Sequence, residues 1–210
     1  MHACSSSRFG RTLVVGAPAL LAIVEVFHPQ PDDLLTIDLT FWLAVHYAQI
    51  ALFPLLALAV AWLVRGQAGV AATLCRVAMF VLGASWTAWD AVAGVSIGLL
   101  SRAARRSGAP EAWRAPIDAI WLDPITGGAT ALLPVLGSVA LSVGAVAAAV
   151  VLRRSGHSWG PLAVLVISTF GIAVFGTHAW PGGPLTFGGM AIAAAWLLRE
   201  QATLDRRQPG

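Results

Sequence analysis

The sequence predicts an all-α integral membrane protein, a bundle of about six transmembrane helices with both termini in the cytoplasm. Three observations carry that reading. Of 210 residues, 58% are hydrophobic and only 11% are charged, where a soluble domain carries about a quarter charged residues. The apolar residues fall in long runs, each near the ~20 residues that cross a bilayer core. Arginines then mark the ends of the runs and set an orientation.

Taken in order, the expected spans are residues 12–27, 39–64, 70–100, 124–152, 161–179 and 184–198, in one membrane domain over 1–210. The first and last are short for a crossing, and the third and fourth are long enough to tilt. All thirteen basic residues are Arg. With a cytoplasmic N-terminus, Arg8, Arg11, Arg65, Arg76, Arg153, Arg154, Arg199, Arg206 and Arg207 lie inside, and Arg102, Arg105, Arg106 and Arg114 outside. That asymmetry favours the stated topology, in a plasma membrane. Residues 101–118 are the one long expected connection, with "APIDAIWLDP" along the outer interface. Asp123-Pro124 reads as an N-cap and first-turn proline that open the fourth helix. Asp32, Asp33 and Asp38 read as loop solvation, and the "RRQPG" end as a disordered tail.

Several function classes drop out. The Arg residues form short clusters between apolar runs, so the basic balance does not describe a nucleic-acid surface. Cys4 and Cys75 are isolated, and fit neither a disulfide framework nor a CxxC motif. The start "MHACSSSRFGR" has no cleavage-type pattern, so the first run is expected to stay as a helix. No metalloprotease, nucleophile-elbow or phosphate-loop motif is present.

Small residues point to close helix contacts. Gly94 and Gly98 form GxxxG, and Ala140, Gly144 and Ala148 repeat at four. Packing within one subunit is the plain reading, with a homo-oligomer as the alternative. Pro54 and Pro134 fall inside expected spans, where a proline removes a backbone bond. Pro54 frees the carbonyl of Ile50 beside Gln49, so irregular backbone is expected there.

Ionisable residues inside the runs carry the functional reading. At 1.5 Å per residue, Glu25 lies about 21 Å above Arg11, and Asp90 about 21 Å above Arg76. His28 lies about 25 Å above Arg11, His46 about 28 Å above Arg65, and His178 about 28 Å above Trp159. Two carboxylates and three histidines thus share one outer-leaflet layer. An ionisable group inside a span is costly unless paired or hydrated, which makes it a functional candidate. Asp90 sits in "GASWTAWDAVAG", and a carboxyl group buried against indoles holds its proton as a catalytic acid must. Each residue also has a structural reading. His28 can cap a helix end, His46 can belong to an aromatic belt, His178 can sit in a turn, and Glu25 can reach the surface.

The leading expectation is an intramembrane enzyme for a lipophilic, isoprenoid-like substrate, acting by acid-initiated cyclisation or isomerisation. Asp90 or Glu25 would donate the proton; His46, His178 and His28 would position the acid or return the proton. Trp86, Trp89, Trp42, Trp121 and Gln49 would line the pocket, since aromatic faces favour cations. That reading requires no cofactor. A metal- or haem-binding redox protein, with zinc, iron or haem on the histidines, is one alternative. A proton-coupled transporter is the other. The expected partners are the lipid bilayer and a lipophilic small molecule.

Overall fold

The computed structural model describes residues 8–207. Every regular element among them is helical: α1 (Arg8–Val26), α2 (Leu39–Leu63), α3 (Val70–Trp89), a π-helical segment (Asp90–Ser96), α4 (Ile97–Arg106), a 3-10 turn (Pro110–Trp113), α5 (Arg114–Trp121), α6 (Leu132–Arg154), α7 (Trp159–Ser168), α8 (Gly171–Phe175) and α9 (Gly182–Arg207). Cys4, His2 and the last three residues of the "RRQPG" tail lie outside the described residues.

Among the described residues, four helices are long and apolar enough to cross a membrane: Arg8–Val26, Leu39–Leu63, the continuous Val70–Arg106, and Leu132–Arg154. Six helices close into a ring. α1 packs on α2, α2 on α3, α3 on α6, α6 on α7, α7 on α9, and α9 back on α1. Inside the ring lies one apolar core that includes Leu21, Phe53, Leu56, Met79, Leu82, Trp86, Leu141, Leu162 and Phe187. Outside it, large apolar side chains such as Leu58, Phe80, Val139, Ile167 and Ile192 are exposed. A water-facing surface of that kind would be an aggregation site; against lipid it is the stable one.

The small-residue repeats act within the subunit. A side chain at Gly144 would overlap Met79, which is how α6 closes on α3. Gly94 and Gly98 let α3–α4 close on His46, Trp42 and Leu43 of α2.

The span boundaries differ from the sequence expectation at several points. The third helix continues to Arg106, so Arg102, Arg105 and Arg106 lie on a helix rather than in a loop. Arg105 is held there by the carbonyls of Leu35 and Ile37, and Ser101 by that of Leu34. The expected long connection is therefore mostly helical. The fourth helix begins at Leu132, not at Pro124. Asp123 caps a turn instead, with Oδ1 accepting from the amides of Ile125 and Thr126. Gly127 then folds back against the carbonyls of Trp121 and Asp123, where any Cβ would overlap backbone. The fifth run breaks at Thr169 and Phe170 and stops at Gly176, whose φ of 65° is left-handed. Its hydropathy reads as one span because the break involves no charged residue.

Backbone irregularity also falls elsewhere than expected. α2 runs unbroken through Pro54. Pro134 is in the first turn of α6, where no amide is lost to the ladder. The departure is the π segment at Asp90–Ser96. π turns are rare and concentrate at functional sites. This one exposes the carbonyl of Gly94 to the indole Nε1–H of Trp42, 2.7 Å away, and leaves that of Ala91 to the Ser96 hydroxyl.

Candidate functional site

Glu25, His28, His46, Asp90 and His178 come together at one end of the ring. Glu25 is fully buried near the C-terminus of α1. Its Oε1 accepts from Nε2 of Gln49 on α2 at 2.6 Å. One turn earlier on α2, His46 places Nδ1 2.6 Å from Oδ1 of Asp90, the first residue of the π segment. His28, just past α1, and His178, in the turn before α9, face each other with Nε2 atoms 3.0 Å apart.

The aromatic rings are in mutual contact. The centroid of His28 lies 4.5 Å from that of His178 and 5.0 Å from that of His46, both edge to face. Trp42 covers His46 at 4.5 Å, and Trp89 covers His178 at 4.9 Å. Both indoles are fixed from behind. Trp42 donates to Gly94, and Trp89 donates to the carbonyl of Gly127 at 2.6 Å.

Polar satisfaction is incomplete in this cluster and nearly complete elsewhere. Among the described residues, five buried side-chain atoms lack a hydrogen-bond partner: Glu25 Oε2, His46 Nε2, Gln49 Oε1, Thr87 Oγ1 and Asp90 Oδ2. Four belong to the two pairs just described. A buried polar atom without a partner costs about 1–3 kcal/mol, and four of these five lie together in this cluster.

A vestibule of about 490 Å³ reaches the cluster from the loop side. His28 and His178 form part of its wall, with Trp42, Trp121, Asp32 and Asp118. At its rim, Arg114 bonds both oxygens of Asp33 at 3.2 Å and also pairs with Glu111. The Arg114 guanidinium holds the carboxyls of Asp33 and Glu111 below the usual carboxylate range. Hydrogen bonds from Thr126 and Ile125 do the same for Asp123 in the neighbouring turn.

The sequence-selected binding residues separate into three groups. Trp42 and Trp121 line the vestibule, and Trp89 backs His178. Gln49 touches Glu25 rather than the vestibule. Trp86 belongs to the packed core. It is wedged against Phe53 and Phe187 and donates Nε1 to the carbonyl of Pro134 at 3.0 Å. Its place one turn below Asp90 is an accident of helical spacing.

Sequence reasoning passed over other residues here. Asp33 reads as loop solvation, yet it is the rim partner of Arg114. Gly183 is another, since any side chain there would overlap the carbonyl of His178 and crowd Glu25. The π segment carries no composition signal.

Comparison of the chain with protein-family models, curated proteins and solved structures gives no match. The site is therefore read from its own geometry.

Proposed function

We propose that the protein is an intramembrane enzyme that transfers protons on a small amphiphilic substrate held in the vestibule. One observation carries this. Three pairs of polar side chains from separate segments converge, the His28–His178 pair in the vestibule wall and the other two behind it, and four atoms of those two are buried without partners. Stability alone gives no reason to assemble such a cluster, since apolar residues of similar volume are often as stable.

The roles follow from position. His28 and His178 line the vestibule and meet the substrate. His46 and Asp90 stand one ring contact behind them. A carboxylate on one ring nitrogen fixes the tautomer and stabilises the imidazolium formed when the other nitrogen takes a proton, as in hydrolase triads. The wall offers indoles and Leu34 beside carboxylates and Arg114. That mixture fits a molecule with an apolar body and a polar end better than a pure hydrocarbon. The acid-initiated isomerisation or cyclisation expected from sequence belongs to this class. The 2.6 Å contact between His46 and Asp90 supports the pairing of acid and histidine which that expectation assigns.

Deuterium labelling tests the reading even while the substrate is unidentified. Purified protein in nanodiscs is incubated in D₂O with a lipid extract, and all components are profiled by mass. Protonation at carbon places solvent deuterium in a product, and Asp90→Asn should reduce that incorporation by about 10²–10⁴-fold. If the wild-type protein introduces no deuterium and converts no component, the enzyme reading is wrong.

A further inference from the structure

We infer that Glu25, His28 and His178 form a binding site for a divalent first-row transition-metal ion, open to the vestibule on one side. One ligand atom from each of the three residues lies within 4.8 Å of the others. No metal-ligand spacing marks them in the sequence, because Glu25 and His28 flank the end of α1 while His178 comes from the turn before α9.

Hydrogen bonding prepares each ligand. Nδ1 of His28 lies 2.8 Å from the carbonyl of Pro29, which can only accept. Nδ1 therefore carries the proton, and neutral His28 presents a lone pair at Nε2. Fixing the distal ring nitrogen on a backbone carbonyl is the usual way a metal-binding histidine is oriented. That lone pair faces Nε2 of His178 at 3.0 Å. Two nitrogens each about 2.1 Å from one ion, on neighbouring octahedral positions, are about 3.0 Å apart. Glu25 is oriented in the same way. Gln49 occupies Oε1, and Oε2 is buried with no partner. Two histidines and one carboxylate on one face of an ion leave the opposite positions free, the arrangement of non-haem iron sites.

The surroundings agree with this assignment. Asp32 and Asp118 line the vestibule and give an incoming cation a negative approach. Trp89 and Gly183 fix His178 from two sides. A haem between His46 and His178 is a poorer fit, because His28 touches both rings and Asp90 occupies His46. When bound, the ion would polarise a substrate oxygen, and His46–Asp90 would remain the proton acceptor beside it.

This inference rests on reading the cluster as a reactive site, but its test does not need turnover. The full-length protein, stripped with chelator in detergent, is dialysed separately against Fe²⁺ without oxygen, Co²⁺ and Zn²⁺, and bound metal is counted. One ion per chain is expected with at least one metal, falling at least tenfold in His28→Gln, His178→Gln and Glu25→Gln and unchanged in His157→Gln. Cu²⁺-loaded wild-type protein should show electron-resonance coupling to two imidazole nitrogens, a readout independent of whether any variant folds. Loading with none of the metals overturns the site. So does undiminished stoichiometry in folded His28→Gln and His178→Gln, or a copper spectrum without nitrogen coupling. Deuterium incorporation by protein that loads no metal would remove the ion and leave the enzyme; stoichiometric metal with no conversion would do the reverse.

Discussion

His46 and Asp90 meet across α2 and the π segment, Nδ1 to Oδ1 at 2.6 Å, with side chains only 5% and 2% exposed. They are 44 positions apart in the chain. Each keeps a second polar atom, His46 Nε2 and Asp90 Oδ2, buried and unpartnered. The pair is thus satisfied toward itself and unsatisfied outward.

Substitution at Asp90 should separate shape from charge. Asp90→Asn keeps an oxygen that accepts from His46, and should change melting little. Asp90→Leu leaves the His46 N–H buried and unpaired, at a cost of about 1–3 kcal/mol. Melting temperatures in a fixed detergent measure both. Equal melting of the two variants would mean that the short contact contributes nothing.

The rim pair predicts a pH dependence. Arg114 holds the carboxyls of Asp33 and Glu111 low, so their folded pKa values lie below the unfolded ones. The stability they contribute is complete above the ordinary carboxylate range and is lost as pH falls through the lowered values. Wild type should therefore melt above Arg114→Gln at pH 7, and the two should converge as both acids protonate. The effect is small, since the groups are solvent-accessible and screened. A gap that persists in strong acid would assign the role of Arg114 to packing instead.

Much of this was readable from the sequence, for physical reasons. Depth along a straight helix is linear in residue number, so a ruler from Arg11, Arg65 and Arg76 places Glu25, His46 and Asp90 in one layer. Facing is another matter. Whether Asp90 points at His46 or at lipid depends on helix phase, and the π segment that starts at Asp90 changes that phase with no mark in composition. Trp86 shows the same limit, since helical spacing put it near Asp90 and packing put it in the core. Loop pairing was equally hidden. Asp33 and Arg114 are 81 residues apart and each looks like ordinary solvation. Hydropathy counted residues 161–179 as a span, although the helix breaks at Thr169 and Phe170, because it sees polarity and not backbone geometry.

Gly94 should tolerate no larger residue. A Cβ there would overlap the His46 ring, with Nδ1 the nearest atom. That nitrogen is the one bound to Asp90. His46 cannot yield, because Trp42 covers one side and His28 meets the other. Gly94→Ala should therefore cost about 1–3 kcal/mol through overpacking, and should weaken the His46–Asp90 pair as well. Gly188, in α9, is the contrasting case. An added Cβ would come no nearer than 3.9 Å to Ala22, which is ordinary contact. There the backbone entropy of glycine dominates, and Gly188→Ala should stabilise by up to about 1 kcal/mol. The two substitutions are chemically identical and opposite in predicted sign, so melting both in one detergent isolates the close approach at His46. Gly94→Ala melting at or above wild type would show that α2 and the π segment are farther apart than the His46–Asp90 contact requires.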